Sequence, residues 1–156
     1  DALPISLLSR IVDDFAADAL QRGLRLKLRT TDAWADTDPL LLERIMINLV
    51  SNAVRYTQRG GVLIAVRRRG DQLRIEVRDS GPGLAPEDRD VAFEPGILHE
   101  RYRGLRPVGT GLGLALVGRL ASGMAGWARA DSAPEGGASF CVGVPLADLP
   151  PRSGSA

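Results

Sequence analysis

Apolar and polar residues alternate along the chain first with the period of a helix and then with that of a strand. In residues 6–21 apolar side chains recur every three or four positions, and Pro4 and Gly23 flank the segment. This pattern predicts an amphipathic helix. Residues 24–29 alternate strictly between leucine and a basic residue, which is typical of a strand with one buried face.

The middle of the chain predicts a long helix followed by a hairpin. Asp38 followed by Pro39 is typical of a helix N-terminus, because Asp caps free N–H groups and Pro fits the first turn. The apolar period then continues to about Tyr56. Two further segments, 62–69 and 72–79, are joined by Gly-Asp and predict two strands of a hairpin.

The last part of the chain predicts one more helix, at 111–122, and two more strands, at 126–131 and 138–144. Before this helix, residues 90–110 show no period and are rich in Gly and Pro, as long functional loops are. Few helices among runs of strands predict an α/β fold: a two-layer α/β sandwich, with a mixed sheet of about five strands and three main helices on one face.

Length and composition exclude several classes of protein. The 156 residues fit one domain, which we place at residues 1–148, with a disordered tail expected at 149–156. The net charge of +1 argues against a nucleic-acid partner. The single cysteine, Cys141, excludes an internal disulfide or a Cys-ligated zinc site and favours a reducing compartment. No apolar run approaches the roughly 18 residues of a membrane span, and no signal peptide is expected.

The predicted second helix carries two amides on one face. Asn48 and Asn52 are one helical turn apart, with Arg55 on the same stripe and Tyr56 at its edge. Asn is a poor helix former, so two of them in a helix interior need a reason. Taken alone, they are as typical of a solvated helix face as of a binding site.

Two glycine-rich segments are candidates for binding a flat ring and a phosphate chain. Asp79 ends the predicted hairpin and precedes Gly81 and Gly83, so its carboxylate can accept from an exocyclic amine where glycines let a ring approach. Residues 109–114 open the next predicted helix, whose free N–H groups favour phosphate. Each signal is weak alone, since strand–Asp–Gly is also an ordinary turn. A P-loop pattern is absent, and Pro107 argues against the strand that a Rossmann motif needs.

The order and spacing of these segments resemble the ATP-binding catalytic domain of sensor histidine kinases, within the fold shared with gyrase, Hsp90 and MutL. The resemblance covers about residues 3–146. It rests on an N box, a first glycine box, the start of an F box, a second glycine box and a last strand, at 48–57, 79–84, 93–95, 109–116 and 137–145.

The resemblance implies that the chain binds ATP and Mg²⁺. It further implies transfer of the γ-phosphoryl group to a histidine on a separate dimerisation and phosphoacceptor domain of the same parent, which then serves a response regulator. The implied location is the cytoplasm, on a membrane-anchored parent. No nucleic acid and no direct membrane contact are expected.

The resemblance also assigns roles to residues of the N box. Asn48 would bind Mg²⁺, and Asn52 would contact the phosphates. Arg55 would face the triphosphate, and Tyr56 would border the nucleotide pocket. No catalytic residue is assigned, and Arg55 and Arg103 are the candidates for stabilising phosphoryl charge.

The adenine and phosphate ends of the pocket are assigned in the same way. Asp79 would accept from the adenine amine, Gly81 and Gly83 would shape the adenine wall, and Ser139 would reach the adenine through water. Residues 95–109 would form a flexible lid over the nucleotide. The phosphate side would be formed by Gly109, Thr110, Gly111, Leu112, Gly113 and Leu114.

The chain departs from the family pattern in two places. Gyrase-type relatives place a carboxylate one turn before the metal-binding Asn, whereas here that position is Arg44, and Glu43 points about 140° away on an ideal helix. The F box continues as Gly-Ile-Leu at 96–98, so we expect an unusual lid. His99 lies in this lid without a helical period, and we do not expect it to accept phosphate.

Several functions therefore remain open beside the phosphotransfer domain, which is the leading hypothesis. An ATPase-gated clamp like gyrase and Hsp90 would hydrolyse ATP by itself. A non-catalytic interaction module would bind nucleotide without transferring phosphate to a supplied histidine domain. A serine kinase of the anti-sigma-factor type is a further alternative.

Overall fold

The computed structural model describes residues 2–3, 6–31, 33–81, 83–94, 113–133 and 136–147. The helices within these ranges are α1 (Ser6–Gln21), α2 (Pro39–Tyr56), α3 (Pro86–Arg89) and α4 (Gly113–Gly123). The strands are β1 (Ala2–Leu3), β2 (Arg25–Arg29), β3 (Ala35–Asp36), β4 (Gly61–Arg69), β5 (Gln72–Asp79), β6 (Trp127–Ser132) and β7 (Ala138–Pro145).

Five of the strands form one mixed sheet in the order β2-β4-β5-β7-β6. β2 pairs parallel with β4, and every other neighbouring pair in this sheet is antiparallel. The two-residue strands β1 and β3 pair with each other outside it. The three longer helices, α1, α2 and α4, pack together and against the sheet, which confirms the predicted two-layer α/β sandwich.

One hydrophobic core joins these helices to the sheet. In β5, Leu73, Ile75 and Val77 are buried, and the residues between them are only half-buried. The buried residues that α2 contributes are Leu42, Ile45, Met46, Leu49, Val50, Ala53 and Val54. Because this apolar stripe faces the core, Asn48 and Asn52 are left half-buried at its border.

Local sequence explains where α2 begins and ends. The Asp38 carboxylate accepts a hydrogen bond from the Leu40 N–H at 2.9 Å, and Pro39 occupies the first helical position, where an N–H is not needed. At the other end Thr57 is extended, while its N–H still donates to the Ala53 carbonyl oxygen. Both ends lie where the sequence pattern predicts them.

The longer elements agree with the prediction to within two residues at each end. The pattern did not predict β1, β3 and α3, because elements of two to four residues are too short to show a period. The expected tail at 149–156 and the expected lid at 95–109 lie outside the described residues. Among the described helices, none has both the length and the apolar character needed to cross a bilayer.

Candidate functional site

The carboxylate of Asp79 is buried and held in one orientation at the end of β5. Only 9% of the residue is exposed. Its Oδ1 atom accepts hydrogen bonds from two backbone N–H groups, that of Gly81 at 2.9 Å and that of Ala138 at 3.2 Å. The two donors fix the side chain, so the site offers an oriented anionic acceptor to a ligand amine.

The backbone beside this carboxylate is kept free of side chains by Gly81. A Cβ atom at Gly81 would lie 3.1 Å from Asp79 Oδ1 and 3.6 Å from the carbonyl oxygen of Tyr56. The end of α2 and the loop after β5 therefore meet at this glycine. A flat ring can approach the acid here because no side chain intervenes.

A second pair of glycines fixes this loop against the turn between β6 and β7. Gly83 and Gly137 both have positive φ, at 80° and 84°. A Cβ atom on Gly83 would lie 3.2 Å from the Gly137 carbonyl oxygen, and one on Gly137 would overlap the carbonyl oxygen of Asp79. On the other side of the loop, Ser80 Oγ accepts from the Gly61 N–H at 2.9 Å. The backbone that carries Asp79 is thus held from two sides.

We expect Gly137→Ala to lower the free energy of unfolding by about 2–4 kcal/mol, because the new methyl group adds an overlap with Asp79 to the strain of positive φ. Gly136→Ala is the matched control, since Gly136 also has positive φ, at 96°, but has no atom of the described residues within 4 Å of its Cβ position. It should cost only about 1 kcal/mol. Urea unfolding measures both variants, and equal losses would contradict the close packing of this turn on Asp79.

The predicted amide stripe lies on α2. Asn48, Asn52 and Tyr56 are half-buried, whereas Arg55 is exposed. Asn48 Nδ2 donates to the carbonyl oxygen of Arg44 at 2.8 Å. This bond uses the donor end of the amide, and Oδ1 is the end that can bind a cation.

The position one turn before Asn48 carries no carboxylate. It is Arg44, which is exposed. Glu43 instead forms an ion pair with Arg10 of α1, with 3.3 Å between Arg10 Nη2 and Glu43 Oε2. The described residues contain no group of three or more His, Cys, Asp or Glu side chains that could hold a metal ion.

Phe93, the first residue of the predicted F box, is half-buried and packs against the core. Its ring packs edge to face on Phe140, with 6.2 Å between ring centroids and an angle of 84°. α4 comes so close that a Cβ atom at Gly118 would lie 3.1 Å from the Phe93 Cβ. Leu114, in the first turn of α4, is buried as well. The Leu114 side chain therefore belongs to the core, and only its backbone remains for the expected ligand contact.

Ser139 lies on the face of the sheet opposite Asp79, which corrects its expected position at the adenine. Successive strand residues point to opposite faces, and Ala138 and Phe140 are the ones in the core. The Ser139 hydroxyl donates to the Glu76 carboxylate. The residue of β7 that contacts Asp79 is Ala138, through its backbone N–H. Sequence reasoning missed Ala138 because an alanine carries no polar signal.

The structure thus brings Asp79, Gly81 and the end of α2 together. Gly113 is the first residue of α4. Five predicted site residues lie outside the described residues, and their roles stay predictions: Arg103, Gly109, Thr110, Gly111 and Leu112.

An α/β sandwich with a buried acid followed by glycines at the end of a central strand is the arrangement that the predicted nucleotide-binding domain requires. Residues 37–148 match the family described as histidine kinase-, DNA gyrase B-, and HSP90-like ATPase. The chain belongs to this family, as the ATP-binding catalytic domain of a sensor histidine kinase.

Similar proteins from bacteria agree with this assignment. The chain is 35% identical over 144 residues to the sensor protein RstB of Escherichia coli K12, covering 92% of this chain and 33% of RstB. It is 38% identical over 121 residues to the sensor histidine kinase RcsC of the same strain, covering 75% of this chain and 12% of RcsC. The crystal structure of full-length ShkA in complex with AMPPNP has 29% identity and a TM-score of 0.77, over 94% of this chain and 31% of that one. The chain spans a third or less of the length of these relatives.

Proposed function

We propose that this chain binds Mg·ATP and transfers its γ-phosphoryl group to a histidine on a separate dimerisation and phosphoacceptor domain. The observation that carries the proposal is the buried Asp79 carboxylate, which two N–H donors orient. Beside it, Gly81 leaves the backbone without a side chain. An adenine amine is a donor that suits this acceptor. The likeness to ShkA, whose structure holds AMPPNP, supports an adenine nucleotide as the ligand.

The phosphates would extend from this pocket along α2. Asn48 would bind Mg²⁺ through Oδ1, with phosphate oxygens and waters as the other ligands, because Mg²⁺ prefers oxygen donors and retains waters. Mg²⁺ would neutralise phosphate charge. Asn52 and Arg55 would contact the phosphates, and Tyr56 would border the pocket. Arg55 and Arg103 remain the candidates for stabilising the charge of the phosphoryl group during its transfer.

Two features favour transfer to another domain over hydrolysis. The carboxylate that would activate water one turn before Asn48 is replaced by Arg44, and Glu43 is paired with Arg10. His99 is the only histidine of the chain, and we do not expect it to accept phosphate because it lies in the expected lid without a helical period. We therefore place the acceptor histidine on the dimerisation domain of a larger, membrane-anchored parent, with a response regulator as the indirect recipient. The domain would act in the cytoplasm.

The isolated chain should bind ATP but neither label itself nor hydrolyse ATP appreciably. Incubation with γ-labelled ATP, followed by separation of protein-bound label and free phosphate, measures both reactions. A heat-treated sample gives the background. Steady release of phosphate by the chain alone would contradict the proposal and indicate a gyrase-like clamp.

A further inference from the structure

The face of the five-stranded sheet that is opposite the helices is strongly basic, and we call it the open face. Along β2, β4, β5 and β6 its side chains alternate with those that face the helices. Its carboxylates are Glu76 and Asp131. Its basic side chains are Arg25, Lys27, Arg29, Arg67, Arg69, Arg74, Arg78 and Arg129. The small net charge of the whole chain therefore hides a concentration of positive charge on one face.

A cavity of about 260 Å³ lies on the open face over β4 to β6. Arg67, Arg74 and Arg129 are among its walls, and Cys141 is part of its lining. The pKa of the Cys141 thiol is raised by burial and, to a smaller extent, by the nearby Glu76 carboxylate. Five arginines and two carboxylates line the cavity, so a ligand would meet a net positive charge here.

The two carboxylates of the open face already have partners. Glu76 pairs with Arg78 at 2.8 Å, and Asp131 pairs with Arg89 of α3 at 3.2 Å. Within the ranges that the structure describes, no ion pair is formed by Arg67, Arg69, Arg74 or Arg129. Four guanidinium groups around the cavity are therefore free to bind an anion.

Their arrangement costs stability. Arg67 and Arg74 are directly opposite each other in the pairing of β4 with β5, and like charges in such positions repel. Arg74 Nε is buried and has no hydrogen-bond partner in the described part of the chain. Arg74 and Arg129 lie over the ring of Trp127, at 5.3 and 5.1 Å from its centroid. An anionic partner would relieve the repulsion between the paired arginines.

We propose that the open face is a docking site for an acidic surface of a partner protein, whose carboxylates enter the cavity. Arg and Trp are enriched at the energetic centres of protein interfaces, and guanidinium groups bind carboxylates through paired hydrogen bonds. The basic side chains extend from β2 to β6, which at a strand spacing of about 4.8 Å is roughly 19 Å. This width suits a protein surface better than one small anion. The proposal does not rest on the nucleotide site, because Asp79 faces the other side of the sheet.

Two charge reversals on neighbouring residues of β4 test the proposal. Arg67→Glu changes the open face, whereas Arg68→Glu changes an exposed residue that points to the other side of the strand, and both change the net charge equally. The probe is a fluorescein-labelled poly-glutamate peptide, followed by fluorescence anisotropy at low ionic strength. Arg67→Glu should weaken peptide binding at least about ten-fold, and Arg68→Glu should bind like the unchanged chain. Unchanged ADP affinity in both variants would show that they are folded.

A second variant and two further probes complete the test. Arg129→Gln, on the edge strand β6, should also weaken peptide binding. Equal weakening by Arg67→Glu and Arg68→Glu, or no binding by the unchanged chain, would overturn the proposal. Tighter and Arg67-dependent binding to phosphatidylserine vesicles or to duplex DNA would overturn it as well, in favour of a membrane or a nucleic acid.

Discussion

Asp79→Asn is expected to weaken ADP binding by about 10- to 150-fold while the domain stays folded. The N–H groups of Gly81 and Ala138 both donate to Oδ1, so an asparagine will place its carbonyl oxygen there. Its NH₂ group then takes the position of the second carboxylate oxygen. Two hydrogen-bond donors, this NH₂ group and the adenine amine, would therefore face each other. Hydrogen bonds to charged groups contribute about 1.5–3 kcal/mol, which gives the expected range.

Isothermal titration calorimetry with ADP measures this effect. Asp71→Asn is the matched control, because Asp71 lies in the exposed turn between β4 and β5 and undergoes the same chemical change. Its dissociation constant should equal that of the unchanged chain. An unchanged dissociation constant in folded Asp79→Asn would remove Asp79 from the adenine site.

The parts of the site that could be predicted from the sequence are those with a period or a fixed order along the chain. The four-residue spacing of Asn48 and Asn52 places both on one helical stripe, and the start of the helix follows from Asp38 and Pro39. The place of Asp79 at the end of a strand follows from the alternation in β5. These features depend on local geometry, which a sequence pattern reports directly.

The face on which a residue of β7 lies could not be predicted in this way. All residues from Ala138 to Val144 are buried, so hydrophobicity shows no alternation along the strand. The family resemblance implied that Ser139 lies at the adenine, whereas the pairing of Arg78 with Ser139 puts it on the open face. Backbone contacts such as the Ala138 N–H with Asp79 depend on strand register, which is set by tertiary packing.

The same limit applies to the open face. The sequence shows that basic residues alternate with leucines in β2 and that polar residues alternate with apolar ones in β5, but it does not show which side chains the neighbouring strands place together. Only the pairing of the strands brings Arg67 opposite Arg74 and Trp127 beside both Arg74 and Arg129. The net charge of +1 is a sum over the whole chain, so it does not show that basic side chains are concentrated on one face.

Phosphoryl transfer should show the second large effect. Asn48→Ala removes the side-chain oxygen that we propose as the protein ligand of Mg²⁺, and loss of metal-assisted charge neutralisation amounts to several kcal/mol. Transfer should therefore slow by about 100-fold or more. Asn48→Asp keeps an oxygen ligand at the same position and should retain more activity than Asn48→Ala. Equal transfer rates in Asn48→Ala and the unchanged chain would remove Asn48 from the metal site.

This chain is proposed to phosphorylate a histidine on another domain. The most direct measurement is incubation of the chain with γ-labelled ATP and Mg²⁺, with and without a purified fragment that carries the dimerisation helices of the parent. Proximity of the bound nucleotide to an oriented acceptor should bring label onto the helical fragment, and the label should be lost in acid, as from a phosphohistidine. The chain alone should remain unlabelled. ATP binding without any transfer to the helical fragment would contradict the claim and indicate a non-catalytic interaction module.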